Sequence, residues 1–209
     1  MKVVDLTHMI HPGMSVYPGT DRPRLVPLAN LKSDGFVEHR LEITSHTGTH
    51  IDAPAHMLTD GRKLDEMAAD RFLGSGWVCN ISHRSGTAIR RSDLELPSGV
   101  EFLLFYSGWD KKWSSEAYFD HYPFLGLEAA NWLTDRQLKG VGFDAISADP
   151  PESKSHQVHN IILGSGMIII ENLSNLELLL GKHFLLSCLP LRWLNGDGSP
   201  VRAVAIMDD

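Results

Sequence analysis

The chain has 209 residues, 43% of them apolar and 22% charged, a globular composition that excludes intrinsic disorder. Its formal charge of −7, with no basic run, speaks against nucleic acid or anionic membrane as a partner. Two distant cysteines, Cys79 and Cys188, exclude a disulfide framework and a thiolate metal site.

In chain order, the first apolar segment predicts a strand over Val3–His8. Asp5 falls too early for a secretory signal, and no stretch reaches the roughly 18 apolar residues of a membrane span. A reduced, soluble, cytoplasmic protein is expected. A second strand is predicted over Phe36–Ser45, with Val37, Leu41 and Ile43 on a core face and Glu38, Arg40, Glu42 and Thr44 on a polar one. A weak helix follows at Leu64–Arg71, then strands over Gly76–Ser82 and Glu101–Ser107. Leu127–Lys139 has helical spacing, with Gly140 as its stop. Strands over Val141–Ser147 and Met167–Glu171 precede a short helix, Asn175–Leu180, with Asn175 as its N-cap. Strands over Phe184–Leu191 and Val201–Ile206 close the series. Asp60–Gly61, Ser85–Gly86 and Asn195–Ser199 read as turns. Without repeats or a linker, the reading is a single β-rich α/β domain over residues 1–209.

Histidine is unusually frequent, at 11 residues, and four of these stand out. His46–His56 reads H-T-G-T-H-I-D-A-P-A-H. In an extended segment His46, His50, Asp52 and His56 share one face. Gly48, Pro54 and the β-branched residues between them disfavour a helix. A straight strand would separate positions four apart by about 13 Å, too far for shared coordination. A bend around Gly48 is therefore expected. Three histidines and an aspartate on one face point to a metal or catalytic site.

A second group lies in Val141–Glu171. His159 and Glu171 flank Ser165 symmetrically. A hairpin through Gly164–Gly166 would set them opposite each other. A short helix over Gln157–Leu163 followed by a strand is the equal alternative. Asp144, inside an apolar run, reads as structural or supporting. His156 is a weaker ligand candidate than His159. His8, His11, His39, His83, His121 and His183 have no ligand-spaced partner.

The segment His46–His56 matches the pattern H-x-G-T-H-x-D-x-P-x-H, and by it the chain resembles the cyclase family of metal-dependent hydrolases, which includes bacterial kynurenine formamidases and isatin hydrolases. D-L-T-H, V-Y-P-G, S-G-W at Ser107–Trp109, G-F-D-A-I-S-A-D, H-N-I-I-L, E-N-L-S-N-L-E-L-L and G-S-P-V-R-A-V-A-I extend the resemblance along the chain. It implies a swivelling β/β/α-type fold, assembled as a homodimer or a larger even oligomer such as a homotetramer. It implies two Zn2+ per subunit, or Mn2+, held by His46, His50, Asp52, His159 and Glu171, with Asp52 shared. His56 would be the general acid/base. Tyr17 stands where kynurenine formamidases carry a tryptophan that packs on the aromatic substrate.

The implied reaction is hydrolysis of a carbon–nitrogen amide bond, with N-formylkynurenine as the leading substrate. Bound zinc makes water acidic enough to react near neutral pH, and His56 would move the proton to the leaving nitrogen. A small aromatic, anionic molecule suits such a site, and Tyr17, Phe36 and Trp109 are its expected walls. Two other readings stand beside this one: opening of a cyclic amide or lactone, and a non-catalytic metal- or ligand-binding module. No G-x-S-x-G elbow is present, which speaks against a serine hydrolase.

Overall fold

A computed structural model describes residues 1–207. The strands in chain order begin with β1 (Lys2–Asp5), β2 (Arg24–Ala29), β3 (Glu38–Glu42), β4 (His50–Asp52) and β5 (Leu73–Asn80). They continue with β6 (Ala88–Ile89), β7 (Phe102–Tyr106), β8 (Phe124–Leu125) and β9 (Gly140–Phe143). The last are β10 (Ile168–Glu171), β11 (Phe184–Ser187), β12 (Gly198–Pro200) and β13 (Val204–Met207). Three α-helices accompany them: α1 (Leu31–Asp34), α2 (Leu127–Thr134) and α3 (Gln157–Gly164).

Nine strands form one sheet in the order β1-β13-β11-β5-β7-β9-β10-β4-β12. Its centre, β5-β7-β9-β10, is parallel, and antiparallel strands extend it on both sides. Central parallel strands are covered on both faces and therefore read as unbroken apolar runs. Strand β7 shows this directly. Leu103 and Phe105 join the core beneath α2 and α3, while Phe102 and Leu104 join a second core on the opposite face. The protein is thus a mixed α/β fold built on one large sheet with few helices.

All eight predicted strands are present, most of them shorter than expected. The helix at 127 ends at Thr134, and Gly140 opens β9 instead of stopping the helix. A side chain there would come within 2.6 Å of Ile168 on β10, so packing between strands explains this glycine. Leu64–Arg71 folds as two 3-10 turns, Leu64–Glu66 and Ala69–Phe72, and Leu176–Leu179 is a 3-10 turn as well. Asn175 does not cap that turn, because its side-chain amide donates to the Asp5 carbonyl.

The predicted core face of β3 is overturned. Strands β2 and β3 pair only with each other and form a ribbon apart from the large sheet. Val37 is 56% exposed and Leu41 61%, and Phe36 beside them is also exposed. Residues 38–41 are all exposed, so neither face of β3 meets the core. Among the described residues no helix is long and apolar enough to cross a membrane.

Candidate metal centre and active site

The site forms where β10 and β4 run side by side. They are antiparallel, with Glu171 opposite His50 and Ile169 opposite Asp52. Facing residues on paired strands lie about 5 Å apart, so the pairing alone brings His50 and Glu171 together. The expected bend precedes β4: Gly48 has φ +65, and residues around it turn before the strand starts. That turn folds His46 back over Asp52, with Nδ1 2.7 Å from Oδ1. Positions four apart thereby converge, as a straight strand would not allow.

His159 arrives by the helical alternative. Helix α3 spans Gln157–Gly164, and β10 pairs with β9 and β4, so the hairpin reading is excluded. His159 sits in the first turn of α3 with Nε2 3.2 Å from Glu171 Oε1 and 3.6 Å from Asp52 Oδ2. His50 Nε2 lies 3.4 Å from Asp52 Oδ1 and 3.6 Å from Glu171 Oε2. His56 ends the turn Pro54–His56, and its ring centroid is 4.0 Å from that of His46. The five predicted ligand side chains and His56 therefore gather around one point. His50, Asp52, His159 and Glu171 are all buried.

His46, His50 and His159 each have the outward nitrogen occupied. His50 Nδ1 donates to the Gly48 carbonyl at 2.8 Å. His159 Nδ1 is 2.6 Å from Asp149 Oδ2, and His46 Nε2 is 3.0 Å from Asp197 Oδ2. Such partners fix a ring's tautomer and leave the other nitrogen free as a ligand. The free atoms are His46 Nδ1, His50 Nε2 and His159 Nε2, and all three face the carboxylates. Asp149 also accepts from the Val158 and His159 amides, tying the carboxylate to the start of α3.

A metal fits this donor set. Asp52 Oδ2 is buried and has no hydrogen-bond partner. An orphaned carboxylate oxygen is costly to bury unless something cationic meets it. Ligand atoms of His50, Asp52 and Glu171 all lie within 4.8 Å of one another. Imidazole nitrogens with carboxylates suit a divalent ion.

Without a metal, the carboxylates and histidines of the cluster balance one another. Burial opposes ionisation of Asp52, yet His159, His46 and His50 hold its carboxyl well below the usual range. Burial also opposes charge on His46, but Asp52 and Asp197 hold its pKa up at about 9. His159 is held well above the ordinary histidine value by Asp149, Asp52 and Glu171 against the same burial. His56 differs: burial, helped by the nearby His46 and His159, pushes it down to about 4. It is therefore neutral at pH 7.

Asn172, directly after Glu171, braces the site from behind. Its φ of 58 is left-handed, a conformation asparagine tolerates better than most residues. Its amide donates to the Gly48 carbonyl, and it accepts from the buried Tyr118 hydroxyl at 2.7 Å. Asp144 is structural, accepting from Ser107 and the Gly108 amide to hold the S-G-W loop. Burial raises its carboxyl to about 7 against those hydrogen bonds.

A cavity of about 320 Å³ opens above the cluster. Val16, Tyr17, Met57, Ile146 and His156 form its walls, with the ligand residues at its floor. Tyr17 is thus in place, 48% exposed at the mouth. Two expected wall residues are not there: Trp109 lies in the core beneath α2 and α3, and Phe36 lies on the ribbon. The sequence reading missed Asp149, Asp197 and Asn172. Their own surroundings, a D-P-P turn, a glycine-rich turn and a strand end, carry no metal-ligand spacing.

Comparison with known proteins places this geometry. The Cyclase family pattern matches residues 4–150. A kynurenine formamidase from Erythrobacter litoralis is 30% identical over 97% of this chain and 93% of that protein. One from Bacillus cereus is 29% identical over 96% and 95%. Among solved structures, isatin hydrolase A from Labrenzia aggregata superposes with a TM-score of 0.87 at 25% identity, covering 98% of this chain and 93% of that one. A protein described as a predicted metal-dependent hydrolase from Bacillus stearothermophilus gives 0.81 at 28% identity, covering 98% and 97%. Family pattern, full-length likeness and the converging histidines agree: the chain belongs to the cyclase family of metal-dependent hydrolases.

Proposed function

We propose that the chain hydrolyses an amide bond with the help of a divalent metal, and that its substrate is N-formylkynurenine, cleaved to kynurenine and formate. The convergence of three imidazoles on two buried carboxylates, with Asp52 Oδ2 unpartnered beneath an open cavity, carries this reading. The full-length similarity to kynurenine formamidases supports the substrate.

The proposed ligands are His46, His50, Asp52, His159 and Glu171, with Asp52 shared between two ions. Zinc is the proposed metal, and manganese suits the same donors. When bound, such an ion acidifies water and polarises a carbonyl. The chain's own residues do the rest. Val16, Met57 and Ile146 line the cavity and keep bulk water from the bound substrate. Tyr17 offers an aromatic face at the mouth. His56 is the proton carrier: it accepts a proton from the attacking water at a ring nitrogen and delivers it to the leaving nitrogen. The water oxygen bonds to the formyl carbon, the carbon–nitrogen bond breaks, and the amine leaves neutral.

The exposed ribbon supports a homo-oligomer, with a homodimer as the simplest form. A two-stranded ribbon is marginal alone, and this one presents Leu28, Leu31, Phe36, Val37 and Leu41 to solvent. A second copy of the chain is the proposed cover. Two buried free thiols suit a reduced, cytoplasmic setting.

A second reading, opening of a cyclic amide, is favoured by the superposition on isatin hydrolase A. The test is a hydrolysis screen of N-formylkynurenine, isatin and simple lactones, run with metal analysis on the same preparation. Fastest turnover of N-formylkynurenine supports the first reading. Fastest turnover of isatin transfers support to the second. Bound metal without turnover of any would leave a binding module.

A further inference from the structure

The turn before β12, N-G-D-G-S, carries no ligand spacing, yet it forms one wall of the site. Asp197 Oδ2 is hydrogen-bonded to His46 Nε2 at 3.0 Å and lies 3.8 Å from His56 Nδ1, beyond hydrogen-bond reach. The Ser45 hydroxyl donates to the same oxygen at 3.3 Å. The backbone around it is fixed to the ligand-bearing segment. The Ala53 amide donates to the Asp197 carbonyl at 2.9 Å, and the Leu64 amide donates to the Gly196 carbonyl at 2.8 Å. Gly198 stands opposite Asp52 in the β12–β4 register. A Cβ on Gly198 would come within 2.5 Å of His46 Cε1, so this glycine leaves room for the ring itself.

These contacts bear on the one ligand held least deeply. The His46 side chain is 23% exposed, against 4% for His50 and 5% for His159. His50 is oriented by a backbone carbonyl and His159 by the buried Asp149. His46 has only Asp197 on its outward nitrogen, and that contact turns Nδ1 toward Asp52. A carboxylate on the far nitrogen of a metal-binding imidazole fixes its tautomer and raises its basicity.

We propose that Asp197 is a positioning residue that orients His46 for the metal through a hydrogen bond and, through the His46 ring packed 4.0 Å from that of His56, holds the proton carrier in place. The inference rests on the metal-hydrolase reading above. It makes the turn a working part of the site and couples metal retention to the placement of the proton carrier.

The test compares Asp197→Ala, Asp197→Asn and His46→Ala in the full chain. Zinc affinity is measured by competition with a chromophoric chelator, without any assay of turnover. Then kcat and KM are measured on the best substrate of the screen at saturating zinc. Asp197→Ala is expected to lose roughly 10- to 100-fold in zinc affinity, the range typical of such outer partners, and to lose kcat with KM within twofold. Asp197→Asn, which keeps an acceptor of the same shape, is expected to recover part of both losses. Zinc affinity and kcat both within threefold of the parent in Asp197→Ala would overturn the proposal. So would a change confined to KM, which would make Asp197 a substrate contact. If Asp197→Ala does not fold, Asp197→Leu, which fills the space without an acceptor, decides by the same threefold limit. His46→Ala separates the two layers of argument. Unchanged zinc binding there contradicts the metal reading itself, while lost binding there with an unaffected Asp197→Ala contradicts only the role of Asp197.

Discussion

Asp52 is 1% exposed with one carboxylate oxygen unmatched, while Leu41 on the ribbon is 61% exposed with no core to meet. Buried charge and exposed apolar surface are the two departures from ordinary burial that carry information. In one chain they occur in separate regions and point to different missing partners. Strands β4 and β10 bury acids that the proposed metal would balance. The ribbon displays leucine, valine and phenylalanine that, on the proposed reading, a second copy of the chain covers. On the proposed reading, metal binding meets the first need and assembly the second.

Substitutions can set the two regions against each other. The largest effect is expected at the buried end: Asp52→Ala should lose both bound metal and turnover, as read by elemental analysis and a hydrolysis assay. Undiminished metal content in that variant would refute its shared-ligand role. His56→Ala should keep its metal and lose roughly 10²- to 10⁴-fold in kcat, the range for a lost general acid/base. Near-normal hydrolysis would remove His56 from the reaction. Stripping the metal should lower the melting temperature. A ligand at a thousand times its Kd contributes about 4 kcal/mol, or roughly 10 °C for a chain of this size. An unchanged melting curve would mean that the acids are balanced in some other way.

On the ribbon, the double substitution Phe36→Glu and Leu41→Glu should convert the oligomer to monomers in light scattering while metal content stays constant. A parent protein that already runs as a monomer would show that the ribbon needs no cover. The smallest effect is expected at Tyr17→Ala, a rise in KM of roughly twofold to tenfold, the scale of one aromatic contact. An unchanged KM would take Tyr17 out of the substrate wall.

Legibility differed between the same two regions. The segment His46–His56 could be read as a cluster because local spacing decides it: three histidines and an aspartate within eleven residues, with a glycine where the backbone must turn. Glu171 and His159 were legible as candidates, but the way they meet depends on β10 choosing β9 and β4 as partners, a tertiary pairing. Asp149 and Asp197 were not legible as site residues, because each acts on a histidine brought to it only by folding. The ribbon misled for a related reason. Alternation in Phe36–Ser45 reports that the strand has two distinct faces, and it cannot report which chain the apolar face will meet.

The most direct measurement is turnover of N-formylkynurenine by one preparation as purified, after exhaustive chelation, and after zinc is returned. The account predicts activity that disappears with the metal and comes back with it. Turnover that survives complete removal of the metal would contradict a metal-dependent hydrolase.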